Sequence, residues 1–224
     1  MLVKVGSRVY YRTLAVGDFH CERCGGDRPY RHRSGRRWVH VLGLPVVPLD
    51  RTGEHLRCTI CRTCYRIELL AVPTMEQMQA ALLVATTAAA LAMLSAGGSA
   101  SDVARRRAVE LIMSAGSPQY GEPDLKLALG YRDQPLTEAP EAPPTALACG
   151  PVPGLRAAIE TVAIQLDLHA REWFLARVIR VGIADGPLSP AERDVVGTIA
   201  RYLGLSQAQA QDVILLTEDA AQAG

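Results

Sequence analysis

With 224 residues, 49% hydrophobic and 21% charged, the chain is long and oily enough to bury a core and has room for one domain beside a smaller one, which excludes a wholly disordered protein. Its net charge of +1 hides an asymmetry: residues 1–66 carry 13 Lys/Arg against 5 Asp/Glu, and residues 67–224 carry 11 against 18. A basic head on an acidic body implies a bipartite protein whose head meets an anionic partner or lies against its own body.

The opening MLVKVGSRVYYRTL lacks a continuous apolar stretch and a small-residue cleavage site, so no export signal is expected and the protein is expected to be cytoplasmic. Thiols stay reduced there, so clustered cysteines are metal ligands or redox groups rather than disulfides. Residues 1–20 and 37–49, rich in β-branched and aromatic side chains and broken by Pro45 and Pro48, predict short strands and turns.

Between and after them stand two thiol pairs, Cys21-x2-Cys24 and Cys58-x2-Cys61, separated by 33 residues. Two thiolates three positions apart can grip one ion if the turn between them is tight, and Gly25 and Gly26 permit that backbone. A redox pair would need a βαβ pattern, which is absent, so the spacing predicts a closed, structural Zn²⁺ site that staples a head poor in large aliphatics. Cys61-x2-Cys64 is an equally good pair, which leaves Cys64 as an alternative ligand; His20 and His55 flank the pairs without being expected to ligate. Arg23, Arg28, Arg31, Arg33, Arg36 and Arg37 surround Tyr30 and Trp38, a mixture that stacks bases and pairs phosphates but that a solvated charged hairpin also produces. Nucleic acid is therefore an alternative partner, and a protein partner the favoured one.

From Pro73 the pattern turns helical. Thr74-x-x-Gln77 is a capping signature, and the uncharged run Gln79 to Ser101, mostly Ala, Thr, Gly and Ser, predicts a helix buried in a bundle and no membrane span. A second helix is expected over 101–115 with Val103, Ala104, Ala108, Leu111 and Ile112 on its apolar face. Residues 133–154 hold six prolines and read as a loop containing the isolated Cys149. Helices resume at Leu155, break near Asp167, and end with Pro190–Leu203 and Gln207–Glu218.

The turn Ala184-Asp185-Gly186 followed by Glu192 has two readings. Asp185 and Glu192 can be two carboxylates of an ion site; alternatively Ser189-Pro190-Ala191-Glu192 is a capping box and Gly186 a positive-φ helix terminator. Glu160, Asp167, Glu172 and Asp194 read as solvated helix charges, and His40 and His169 as single surface or packing residues. No nucleophile–base constellation or phosphate-cradling glycine loop is visible, so no enzyme is expected.

Residues 184–206, ADGPLSPAERDVVGTIARYLGLS, resemble the second-repeat signature of TerB-like domains, the all-helical fold named for tellurite-resistance proteins. Residues 19–65 are similar to the zinc ribbons that precede TerB-like domains in many bacterial proteins, through CERCGG, RPYR, RRW, PVVPL, GE and the final CxxC. The resemblance implies that Cys58 and Cys61, followed four residues later by Tyr65, complete the zinc site, with Cys64 the extra thiol. It also implies a duplicated fold in which acidic residues of two ADG-x-x-S-x-x-E turns hold an ion. Here the first turn departs from that pattern, with Gly97 where Asp is expected and Ala104 where Glu is expected. The resulting expectation is an α+β chain: a zinc ribbon over 1–68 and an all-α TerB-like bundle over 69–224. It would act as a non-enzymatic adaptor in a tellurite, metal or other stress response.

Overall fold

The computed structural model describes residues 5–41, 44–98, 100–132 and 154–222; Cys149 and the proline-rich stretch expected to be a loop lie outside them. The chain is α+β and forms two compact units, Met1–Met78 and Gln79–Gly224.

The first unit is a four-stranded antiparallel sheet in the order β1-β2-β3-β4: β1 Val5–Cys21, β2 Gly26–Val41, β3 Leu44–Cys58 and the two-residue β4 Cys64–Tyr65. The strands are not short, as the sequence suggests, but 17, 16 and 15 residues long. Pro45 and Pro48 do not break β3; they pair with His40 and Trp38 where the β2–β3 register slips, which tolerates a residue with no N–H to give. The buried apolar side chains of this unit, Phe19, Cys21, Leu56 and Cys58, all sit at one end of the sheet. Toward the other end both faces meet solvent, leaving Tyr10, Tyr11, Leu44 and Val47 exposed. The unit closes with a 3₁₀ turn, Ile67–Ala71.

Seven helices follow among the described residues. α1, Met75–Met93, starts on the expected box: the Gln77 amide donates to Thr74 Oγ1 at 3.2 Å and the Thr74 amide to Gln77 Oε1 at 3.0 Å. It runs into a single π-turn, Leu94–Gly98. The helical run Ile67–Gly97 is long and apolar enough to cross a membrane, but half of its most apolar window is buried, with Ala85, Ala89, Ala90, Met93 and Leu94 in the core of the helical unit. α2, Asp102–Ser114, is capped by Ser101 and buries Ala104, Ala108, Leu111 and Ile112; Val103, expected on that face, is exposed. α3, Glu122–Arg132, has no counterpart in the sequence reading. α4, Leu155–Ala163, and α5, Leu168–Gly182, divide at Asp167, whose side chain accepts the Ala170 amide at 2.8 Å. α6, Pro190–Tyr202, and α7, Gln207–Gln222, complete the unit. α5 is its centre, packed on α2, α6 and α7, with Leu175, Val178 and Ile179 fully buried.

Candidate metal centre and the carboxylate turn

β1 and β3 bring the two thiol pairs to one end of the sheet. β1 delivers Cys21 into a turn in which the amides of Cys24 and Gly25 donate to the Cys21 carbonyl at 3.0 and 2.9 Å, closed by Gly25 at φ +64°. β3 delivers Cys58 into the matching turn, where Arg62 takes φ 61° and the Cys58 amide donates to the Thr63 carbonyl at 3.0 Å. The four sulfurs of Cys21, Cys24, Cys58 and Cys61 all lie within 4.8 Å of one another, with Cys21 and Cys61 Sγ 3.7 Å apart. Sulfurs at about 2.3 Å from one tetrahedral ion stand about 3.8 Å apart, so this donor set fits a thiophilic metal. Cys21 and Cys58 are buried and Cys24 and Cys61 half-buried, behind Phe19, Tyr30 and Tyr65, whose rings meet edge-on with centroids 5.4–5.7 Å apart.

The thiols are electrostatically unequal. Desolvation and hydrogen bonds with Cys21 and Cys61 push Cys24 up to about 12, whereas Thr63, through its hydroxyl and its amide, pulls Cys61 down to about 6. Burial raises Cys21, but hydrogen bonds from Tyr65 and Cys24 outweigh it and leave that thiol lowered. The Tyr65 hydroxyl sits 3.2 Å from Cys21 Sγ and is itself pushed up to about 12, first by that hydrogen bond. Cys61 is thus the thiol most ready to meet a cation as thiolate, while Cys24 would have to give up its proton to one.

Cys64 is exposed on β4 opposite Arg57 and stands outside the group. His20 pairs with Asp27 at 3.3 Å, and His55 meets the Tyr11 ring edge-on at 5.2 Å, so neither approaches the sulfurs as a ligand. Tyr65 and Thr63 are the cluster residues the sequence did not reveal as partners; their one signal is their place immediately after the second knuckle.

Strand alternation divides the arginines. Arg28 and Arg36 share a face of β2 with Tyr30 and Trp38, while Arg31, Arg33 and Arg37 point to the other, opposite Val16, Thr13 and Val9 of β1. They do not jointly surround the two aromatics, as the sequence suggests. Arg36 lies 5.9 Å over the Trp38 ring, and its cross-strand neighbours are Tyr10 and Arg51.

In the helical unit, Asp185 is exposed and Glu192 is buried at 5% exposure. The Ser189 amide and hydroxyl both donate to Glu192 Oε2 at 2.8 Å, and the Glu192 amide returns a 3.3 Å bond to Ser189 Oγ: the complete capping box, with Pro190 at the first helical position. Gly186 turns the chain at φ 152°. Among the described residues these two carboxylates belong to no metal-competent cluster. Replacing Asp185 with Asn is accordingly expected to change thermal stability by less than about 0.5 kcal/mol with or without divalent ions, whereas Glu192→Ala should cost about 2 kcal/mol, read by thermal unfolding. An equal response of both variants to added calcium or magnesium would overturn this reading.

The model of the tellurite resistance protein TerB family matches residues 83–214, more than half of the chain. The chain belongs to the TerB family. No curated protein and no solved structure matches it. Within this TerB member the matched region begins inside α1 and ends inside α7, so it takes in the π-turn at Gly97 as well as the Glu192 turn. The two turns meet: a Cβ placed on Gly97 would stand 2.8 Å from Glu192 Cδ. The carboxylate that the family resemblance implies at position 97 is thus absent where Glu192 packs against bare backbone.

Proposed function

We propose that this TerB family member is a non-enzymatic cytoplasmic adaptor whose N-terminal ribbon is held by zinc and presents a long uncovered sheet to a protein partner, in a tellurite, metal or other stress response. The observation that supports it most is the position of the four-thiol cluster at the one end of the sheet that has a core. An ion there would fix three strands whose remaining length buries almost nothing, and Tyr11, Leu14, Val16 and Val47 are left exposed along them, apolar side chains that a partner would cover. Four thiolates in a reduced compartment select zinc on grounds of ligand softness and tetrahedral spacing. Affinity capture from native cells, quantified for the wild-type chain against Val16→Glu and Val47→Glu and paired with elemental analysis, tests the reading. A partner that is lost with both variants and about one zinc per chain are expected; identical partner lists, or no transition metal, would remove it.

A second reading, a nucleic-acid-associated regulator, draws on one face of the same sheet. Arg8 stands opposite Trp38, and Arg36 opposite Tyr10 on one side and Arg51 on the other; none of the three arginines forms an ion pair among the described residues. Such a surface stacks single-stranded bases while pairing phosphates. On this reading, the pair of changes Arg36→Ala and Trp38→Ala weakens single-stranded DNA binding about tenfold or more at low salt, and Arg37→Ala, on the other face, weakens it less. A gel-shift or anisotropy titration showing equal losses, or no binding at low salt, counts against it.

A further inference from the structure

We propose that the helical unit binds a small phosphate-bearing anion in a cleft between α2, α5 and α7. Arg106 and Arg107 of α2 and Arg177 and Arg180 of α5 surround two hollows of about 540 and 270 Å³ that share Arg107, Glu110 and Arg180. The larger lies in the size range of small-ligand pockets. Residues 67–224 are acidic overall, so gathering four of their 11 basic side chains here is not a by-product of general basicity. Glu110 is the one carboxylate of the lining, and Arg107 already engages it at 2.8 Å.

The spacing that builds the cleft is helical. Val103, Arg107 and Glu110 recur on one face of α2, and Arg177 and Arg180 stand one turn apart on α5. Arg177 is preorganised: its guanidinium lies 4.6 Å over the Trp173 ring and donates to Ser114 Oγ. Burial, then the nearby charges of Arg180 and Arg107, depress the Arg177 pKa: the cations crowd one another, with Glu110 the one carboxylate among them. Arg180 has no hydrogen-bond or ion-pair partner among the described residues. What such a group lacks is a multivalent anion whose oxygens accept several guanidinium forks at once, which is phosphate chemistry more than carboxylate chemistry. The rest of the larger hollow's lining is largely apolar, with Val103, Ile183, Ala184, Ala220 and Ala221, and suits the organic body of a phosphate monoester. That body belongs to a soluble metabolite or to a lipid headgroup.

Calorimetric titration of the full-length chain at low ionic strength with inorganic pyrophosphate and with adenosine monophosphate, alongside sedimentation with phosphatidylcholine vesicles containing phosphatidic acid, separates these sources. Binding of a soluble probe with a Kd below about 1 mM is expected. Arg180→Gln and Arg177→Gln should each weaken it about tenfold, while Arg156→Gln, on α4 and paired with Glu160, leaves it unchanged. Binding to the vesicles alone, lost in Arg180→Gln, assigns the phosphate to a lipid and keeps the site. No binding of any probe, or the same loss in Arg156→Gln as in Arg180→Gln, overturns the proposal. Arg180 is exposed, so its variant decides the outcome even if Arg177→Gln perturbs the fold.

Discussion

Cys58→Ser is expected to abolish the folded ribbon while leaving the helices intact. The apolar core of the first unit amounts to Phe19, Leu56 and the two buried thiols with their aromatic neighbours, too little to order three strands of 15 to 17 residues unaided. A structural zinc ion contributes about 10 kcal/mol of apparent folding free energy in small modules, more than such a core supplies. Removing one of four sulfurs forfeits most of that. Elemental analysis should fall from about one zinc per chain to near zero, and ribbon amides should exchange with solvent at unprotected rates while α5 and α6 stay protected. Cys64→Ser, which alters an exposed sulfur outside the cluster, should keep both metal and protection. Protons compete with the ion: Cys24, at about 12 without metal, gives one up on binding, so chelator competition should show tighter binding as pH rises from about 6 to about 8. A Cys58→Ser chain that retains metal, or a Cys64→Ser chain that loses it, would sink the four-thiol assignment.

The four-thiol cluster was legible in part from a local rule, two residues between thiols and glycine after the first pair; that rule left Cys61-x2-Cys64 as an equal alternative, and the resemblance to zinc ribbons chose Cys58 and Cys61. Capping motifs are equally local, and both Thr74 and Ser189 begin their helices as the residues prescribe. Strand length was not legible. Residues 6 to 16 of β1 are exposed on nearly every position, so no alternation of apolar and polar side chains marks them as a long strand. α3 escaped because Pro123 and Gly130 look like loop residues, although proline in a first turn costs a helix nothing. The arginine cleft could not be read at all, since α2 and α5 are far apart in sequence and each taken singly looks like a solvated face. At Glu192 the ambiguity was intrinsic: a capping box and an ion turn ask for the same carboxylate, and what the structure shows is the capping box with Ser189.

Gly97→Asp is the substitution expected to perturb the helical unit most sharply for its size. A Cβ at this position approaches Glu192 Cδ to 2.8 Å and Oε1 to 2.9 Å. A glutamate tip can usually swing aside, but this one is 5% exposed and holds two 2.8 Å bonds from Ser189. Moving it sacrifices the cap of α6; leaving it in place forces overpacking of about 1–3 kcal/mol. Gly97→Ala should show that steric cost alone. Gly97→Asp adds a second carboxylate beside the first, for a total of about 3 kcal/mol or more and a fall in melting temperature on the order of 10 °C. Because the clash lies between these two side chains, Glu192→Ala should cost less in the Gly97→Ala background than alone, a coupling of about 1 kcal/mol in a double-mutant cycle. Gly97→Asp also restores one of the two carboxylates missing from the ion site that the family resemblance implies, so calcium or magnesium should recover part of the lost melting temperature in this variant and none in the wild type. If Gly97→Asp melts with the wild type in the absence of divalent ions, the close packing of Glu192 on the π-turn is wrong, and with it the reason this position is bare.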